Sequence, residues 1–339
     1  IPTVKDRVVQ QAILNIIQPI FEPDFHPQSY GYRPNKSCHK AVAKARQLAV
    51  RDELSFVVDM DLSKCFDTLN HKFIMKCLNK RVSDGTLLKL IEKILKSGVM
   101  QAGEFSKTII GSPQGGVISP LLMNIYLNEF DQAMKTKGIE IVRYADDILI
   151  FSKTKKKAEQ YRRFATKYLN SIHLTINGEK THIANVSNGI KYLGFIIYRR
   201  YVVIDKERIK KFKDKVRQMT PRNSGWNLST IIRWINPVLR GWSNYFRVSD
   251  CKGVFQALME WIRRRLRMKK MREWKKWKAF HKQLRRVEFK GEFPKISMTR
   301  WRNSCCFHIH KALSNNWFKE QGLYDITVKP TGVLFNYYE

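Results

Sequence analysis

Two stretches of the sequence set carboxylates inside apolar runs. Residues 141–151, IVRYADDILIF, carry Asp146 and Asp147 side by side, and VVDMDLSKCFDTL carries Asp59 and Asp61 two residues apart. Strand alternation puts Asp59 and Asp61 on one face, with Phe56, Val58 and Met60 on the other. A strand, a tight turn and a second strand put Asp146 and Asp147 at or beside a hairpin tip. Neighbouring carboxylates repel unless a cation lies beside them, and burying them unpaired is costly. A hard divalent cation such as Mg2+, which takes oxygen ligands, resolves both problems. Two such ions held by carboxylates from adjacent strands can run two-metal phosphoryl transfer, in which one ion activates a hydroxyl and the other stabilises the leaving group. For Asp146 and Asp147 alone a solvated turn is the alternative, because aspartate favours turns.

The elements that must position these groups are legible as patterns. Up to about residue 198 helical stretches alternate with β-rich runs such as SFVVDMDL (55–62), IVRYADDILIF and KYLGFIIY (191–198), an α+β pattern. Beyond it the β signal fades into basic amphipathic stretches: DKERIKKFKDKVRQM (205–219), which Pro221 ends, and STIIRWINPVLRGWSNYF (229–246). Charge follows the same division. The 339 residues hold 63 Lys+Arg against 29 Asp+Glu, a formal charge of +34, and residues 199–290 alone hold 28 against 7. So lopsided a balance points to a polyanion, nucleic acid before an anionic membrane, since no long apolar run and no amino-terminal signal pattern occurs. Six cysteines without paired spacing predict reduced thiols and a cytoplasmic protein. The chain opens on Ile1, which reads as a fragment or a processed product. There is no internal repeat, and CCFHIH (305–310) matches no standard zinc spacing.

With YADD in a hairpin, DLSKCFD on the strand before it, GSPQGGVISPLL (111–122) between them and KYLGF after them, the chain resembles reverse transcriptases, specifically the proteins encoded by bacterial group II introns. IPTVKDRVVQQAI (1–13), SYGYRPNKS (29–37) and NGEKTHI (177–183) fit the same order, and INPVLRGWSNYF (235–246) resembles the maturase or thumb segment. The resemblance implies a right-hand polymerase fold: fingers, incomplete at the amino terminus, and palm over 1–198, an all-α thumb/maturase domain over 199–250, and a basic DNA/RNA-binding region over 251–339. It implies an RNA-directed DNA polymerase that copies group II intron RNA with two Mg2+ ions and assists its splicing, without a carboxy-terminal endonuclease. The implied partners are the intron RNA, target DNA as primer and deoxynucleoside triphosphates, in the bacterial cytoplasm and associated with the nucleoid. A maturase that only binds RNA, or a retron or diversity-generating reverse transcriptase, is the alternative.

Carried over residue by residue, Asp61, Asp146 and Asp147 resemble the catalytic, metal-holding set, while Asp59 and Asp67 read as structural. Phe66 stands where the family keeps an aromatic against a ribose 2′-hydroxyl, with an ordinary core phenylalanine as the alternative. Arg33, Leu62, Gln114 and Gly115 match positions near the incoming nucleotide, with a surface charge in a Gly-Pro-rich turn as the alternative for Arg33, and Lys180 matches a proton donor to pyrophosphate. Leu193, Gly194 and Phe195 resemble the primer grip, or plain hairpin packing. In WIRRRLRMKKMREWKKWKAFHKQLRR (261–286), 13 cations face one glutamate with aromatics interleaved, so Arg263, Arg264, Arg265, Arg267, Lys269, Lys270, Lys275 and Lys276 are expected to neutralise phosphate.

Overall fold

The computed structural model describes residues 2–101, 104–106, 110–111 and 115–338, with the side chains of 99–101 and 104–106 left aside. The chain divides into two compact units, one comprising 1–193, 197–200 and 336–339, the other 194–196 and 201–335.

The first unit is built on a four-stranded antiparallel sheet. In spatial order its strands are Ile141–Tyr144, Asp147–Ser152, Phe56–Asp61 and His182–Asn185. SFVVDMDL thus forms the strand its alternation predicts, and it lies inside the sheet with a neighbour on each side. Beneath it runs the helix Ser119–Thr136, whose Leu122, Met123, Tyr126, Leu127 and Phe130 are fully buried. Pro120 is tolerated in its first turn, where no intrahelical N–H is needed. The helix Lys155–Ser171, capped by the Thr154 side chain, packs on the same core through Ala158, Ala165 and Leu169.

The second unit is helical. Asp205 caps Lys206–Met219, which stops just before Pro221, and Asn227 caps Leu228–Phe246. The basic stretch 261–286 is two helices, Lys252–Trp274 and Trp277–Arg286, because Lys275 takes a positive φ of 57° and breaks the run. KYLGFIIY likewise divides, into strands Ile190–Tyr192 and Phe195–Ile197 around Leu193 and Gly194, both at positive φ. All six cysteines are free thiols. Among the described residues no helix is long and apolar enough to cross a membrane.

Candidate active site

The acidic residues meet at one end of the sheet. Asp61, last in its strand, lies directly opposite Asp147, the first residue of the returning hairpin strand. Tyr144 pairs with Asp147, so the hairpin turn consists of Ala145 and Asp146 alone. Like charges opposite one another in a sheet are destabilising, so this pairing needs a compensating cation. Asp147 is an exposed residue. Even so, the protein packed around its base raises its pKa to about 6, with Asp146, Asp59 and Asp61 adding to the rise and Lys180 opposing it. Asp59 is pushed to about 6 by burial, against the opposing His182 on the neighbouring strand and with a further rise from Asp61.

A cation already stands on this cluster: Lys180 Nζ lies 3.0 Å from Asp61 Oδ2. The backbone brings it there, because Asn177 N–H donates to the Asp61 carbonyl at 2.8 Å and Ser63 N–H to the Thr175 carbonyl at 3.0 Å. Among the described residues no three His, Cys, Asp or Glu side chains form a ready-made metal cage. The all-oxygen donors at Asp61, Asp146 and Asp147, and the ammonium resting on one of them, nevertheless fit Mg2+, which keeps several waters and takes one or two carboxylates together with substrate phosphates.

The turn is held by residues that sequence reasoning did not single out. Ala145, a buried non-glycine, sits at φ 58° in the first turn position, where glycine is usual. Arg143, fully buried, donates from Nη1 to the Ala145 carbonyl at 3.0 Å and to Asn124 Oδ1 at 3.0 Å. Its Nε and Nη2 donate to the equally buried Asp131, at 2.9 Å to each oxygen and at 2.6 Å to Oδ2. Asn124 Nδ2 then donates to the Gly31 carbonyl at 2.8 Å. Gly31 presses so closely on the turn that a Cβ there would stand 2.3 Å from Ala145 N. The signal was present in SYGYRP and in VRYADD, where an arginine sits inside an apolar strand. A sequence does not show that its partner lies on a distant helix.

Other expected site residues sort differently. Phe66, on the short helix Cys65–Thr68, is half-buried against the core. Gly115 is exposed, at φ 81°, with open space where a side chain would go, and Gln114 lies outside the described residues. Arg33 is corrected: its guanidinium is buried, paired with Glu22 at 2.8 Å, donating to the carbonyls of His26 and Ser29 at 2.7 Å each, and stacked on Phe25. It braces a turn instead of reaching a triphosphate. Leu62 packs in the core, so no side chain of its own meets a nucleotide. Phe195 is corrected too, being fully buried against Tyr245 and Phe246, which leaves Leu193 and Gly194 as the half-buried tip.

The basic stretch also needs correction. Arg267 is buried and donates to the Leu313 carbonyl, with burial and then Arg263 lowering its pKa to about 10. Lys269 is buried and donates to the Ser224 carbonyl at 2.6 Å. Arg265 donates to Thr220, Arg263 pairs with Asp325, Lys270 pairs with Glu273 and Arg264 stacks on Trp301. These cations stitch the unit together, because a helix enclosed by its neighbours must satisfy its charges internally. Lys275 and Lys276, beyond the helix, are exposed.

Residues 1–197 match the family described as reverse transcriptase (RNA-dependent DNA polymerase), and residues 209–289 match the group II intron, maturase-specific domain. The chain is 36% identical to protein YkfC of Escherichia coli, over 59% of this chain and 62% of that protein. It is 27% identical to the group II intron-encoded protein LtrA of Lactococcus lactis, over 74% of this chain and 58% of that protein. It is 24% identical to nuclear intron maturase 1, mitochondrial, of Arabidopsis thaliana, over 59% of this chain and 41% of that protein. The chain therefore spans about three fifths of the length of the first two relatives.

Proposed function

The chain belongs to the reverse transcriptase (RNA-dependent DNA polymerase) family over residues 1–197, and from that premise we propose that it copies group II intron RNA into DNA and binds that RNA as a maturase. The observation that carries the reading is Asp61 opposite Asp147 with Asp146 in a two-residue turn beside them, three carboxylates at one sheet end. The match of residues 209–289 to the maturase-specific domain supports the intron RNA as template and ligand. Target DNA would supply the primer and deoxynucleoside triphosphates the substrate. Residues 1–198 then serve as fingers and palm, 199–250 as thumb and 251–339 as a nucleic-acid-binding region. Free thiols at every cysteine fit a reducing compartment, the bacterial cytoplasm, near the nucleoid.

Asp61, Asp146 and Asp147 would hold two Mg2+ ions, which when bound activate the primer 3′-hydroxyl and stabilise charge on the leaving pyrophosphate. Lys180, already in hydrogen-bond reach of Asp61, would hold a proton beside the departing phosphate. Phe66 would wall off a ribose 2′-hydroxyl. Gln114 and Gly115 would flank the nucleotide, where a glycine lets the backbone approach, and Leu193 and Gly194 would meet the primer.

The test is extension of a DNA primer annealed to RNA, with and without magnesium. Magnesium-dependent synthesis is expected. RNA binding with no synthesis under any divalent ion would reduce the protein to a binding maturase.

A further inference from the structure

We propose that the exposed face of the helix Leu228–Phe246 is a subsite for one unstacked nucleotide of single-stranded RNA. The inference rests on the reading of the second unit as RNA-binding, and it names the residues and the chemistry by which a strand would be held there. An open cavity of about 450 Å³ lies along this face, lined by Ser229, Ile232, Arg233, Asn236, Pro237 and Arg240 of the helix together with Gln321 and Gly322. Its far wall is fixed, since Asn236 donates to the Gly322 carbonyl at 2.8 Å and accepts from Tyr324 N–H at 2.9 Å.

Three features make this face chemically specific. Arg233 and Arg240 are exposed, two turns apart on one side of the helix, without an acidic partner among the described residues; Arg240 lies over the Tyr324 ring at 5.1 Å. Two guanidinium groups over a cavity suit phosphate. Pro237 sits inside the helix and has no N–H, so the carbonyl of Arg233 lacks its intrahelical donor and is left as an acceptor on the same face. A ribose 2′-hydroxyl or a base amino group is the kind of donor it would take, and the sugar hydroxyl favours RNA over DNA.

The third feature is aromatic. Trp226 and Trp234 are 57% and 40% exposed and meet edge to face, with centroids 4.8 Å apart. Trp234 adjoins Arg233 in the helix and stands three residues before Pro237, outside the cavity lining but on the neighbouring strip of the same helix. Partly exposed indoles on the helix that also carries the two guanidinium groups are the side chains on which single-stranded bases stack.

The experiment measures binding of the full chain to an unstructured ten-nucleotide RNA by fluorescence anisotropy across a salt series, with the DNA oligonucleotide of matching sequence alongside. W226A/W234A should weaken RNA binding about 5- to 150-fold per stacked base at unchanged salt slope. R233Q/R240Q should flatten the slope by about 1.4. W226F/W234F keeps a stacking face and should retain most of the affinity, which separates stacking from a folding defect. Unchanged affinity and slope in both loss variants would overturn the subsite, and equal binding of the DNA would overturn its assignment to RNA. Magnesium-dependent primer extension by the wild type, measured alongside, tests the proposed function separately: its absence would count against that function and leave the binding result standing.

Discussion

Arg143 carries a full charge in the core of the first unit, and its partner Asp131 is equally enclosed. Such a pair adds little net stability over a well-packed apolar pair, but losing one partner leaves an uncompensated buried charge. Arg143→Met is therefore expected to cost about 3–5 kcal/mol in chemical denaturation. The double variant Arg143→Met/Asp131→Leu should recover much of that stability without recovering activity, because nothing then holds the Ala145 carbonyl. A double variant with normal primer extension would show that the network serves folding alone. Phe66 poses a separate question at this scale. If its ring meets the 2′-hydroxyl, Phe66→Val admits ribonucleotides while deoxynucleotide use survives, since only a steric wall is lost. Incorporation of both nucleotide types, read with circular dichroism, decides between that role and core packing: an unfolded variant supports the core.

Among elements, the hairpin turn depends on its contact with a loop more than a hundred residues earlier in the chain. Gly31→Ala places a Cβ within 2.3 Å of Ala145 N, so the turn or the loop must move. Misplacing a reacting group by about 1 Å can cost roughly a hundredfold in rate. Primer extension by Gly31→Ala should fall by about that factor with all three aspartates intact, and wild-type turnover would show that the loop yields instead. The strand Phe56–Asp61 and the hairpin were legible because their signal is local: a period of two and a pair of turn residues. The register that sets Asp61 against Asp147 was not, since strand pairing joins residues far apart in sequence. Arg33 was misread for the same reason. A lone arginine in a glycine- and proline-bearing turn looks free until Glu22 and the carbonyls of His26 and Ser29 fold around it.

Across the whole molecule, the positive charge falls into two populations that composition could not separate. In Lys252–Trp274 cations such as Arg267 and Lys269 are consumed by internal hydrogen bonds, whereas Lys275, Lys276, Lys278, Lys282, Arg285 and Arg286 are exposed. Counting 13 cations over 261–286 correctly flagged a basic region, but burial decides which of them can meet phosphate. Changing the six exposed cations to glutamine should flatten the log–log salt dependence of RNA binding by about 4 and leave thermal stability nearly unchanged. Changing Arg265, Arg267 and Lys269 should instead lower the melting temperature. The opposite pattern would return RNA binding to the long helix.

Three carboxylates at the end of the sheet carry the proposed chemistry, and the most direct test of it is Asp146→Ala in magnesium-dependent extension of a DNA primer on an RNA template, with RNA affinity measured in parallel. Asp146 stands in the turn and contributes nothing to the strand ladder, so its removal should abolish synthesis while folding and RNA affinity remain. Near-normal extension by this variant would contradict the assignment of the active site.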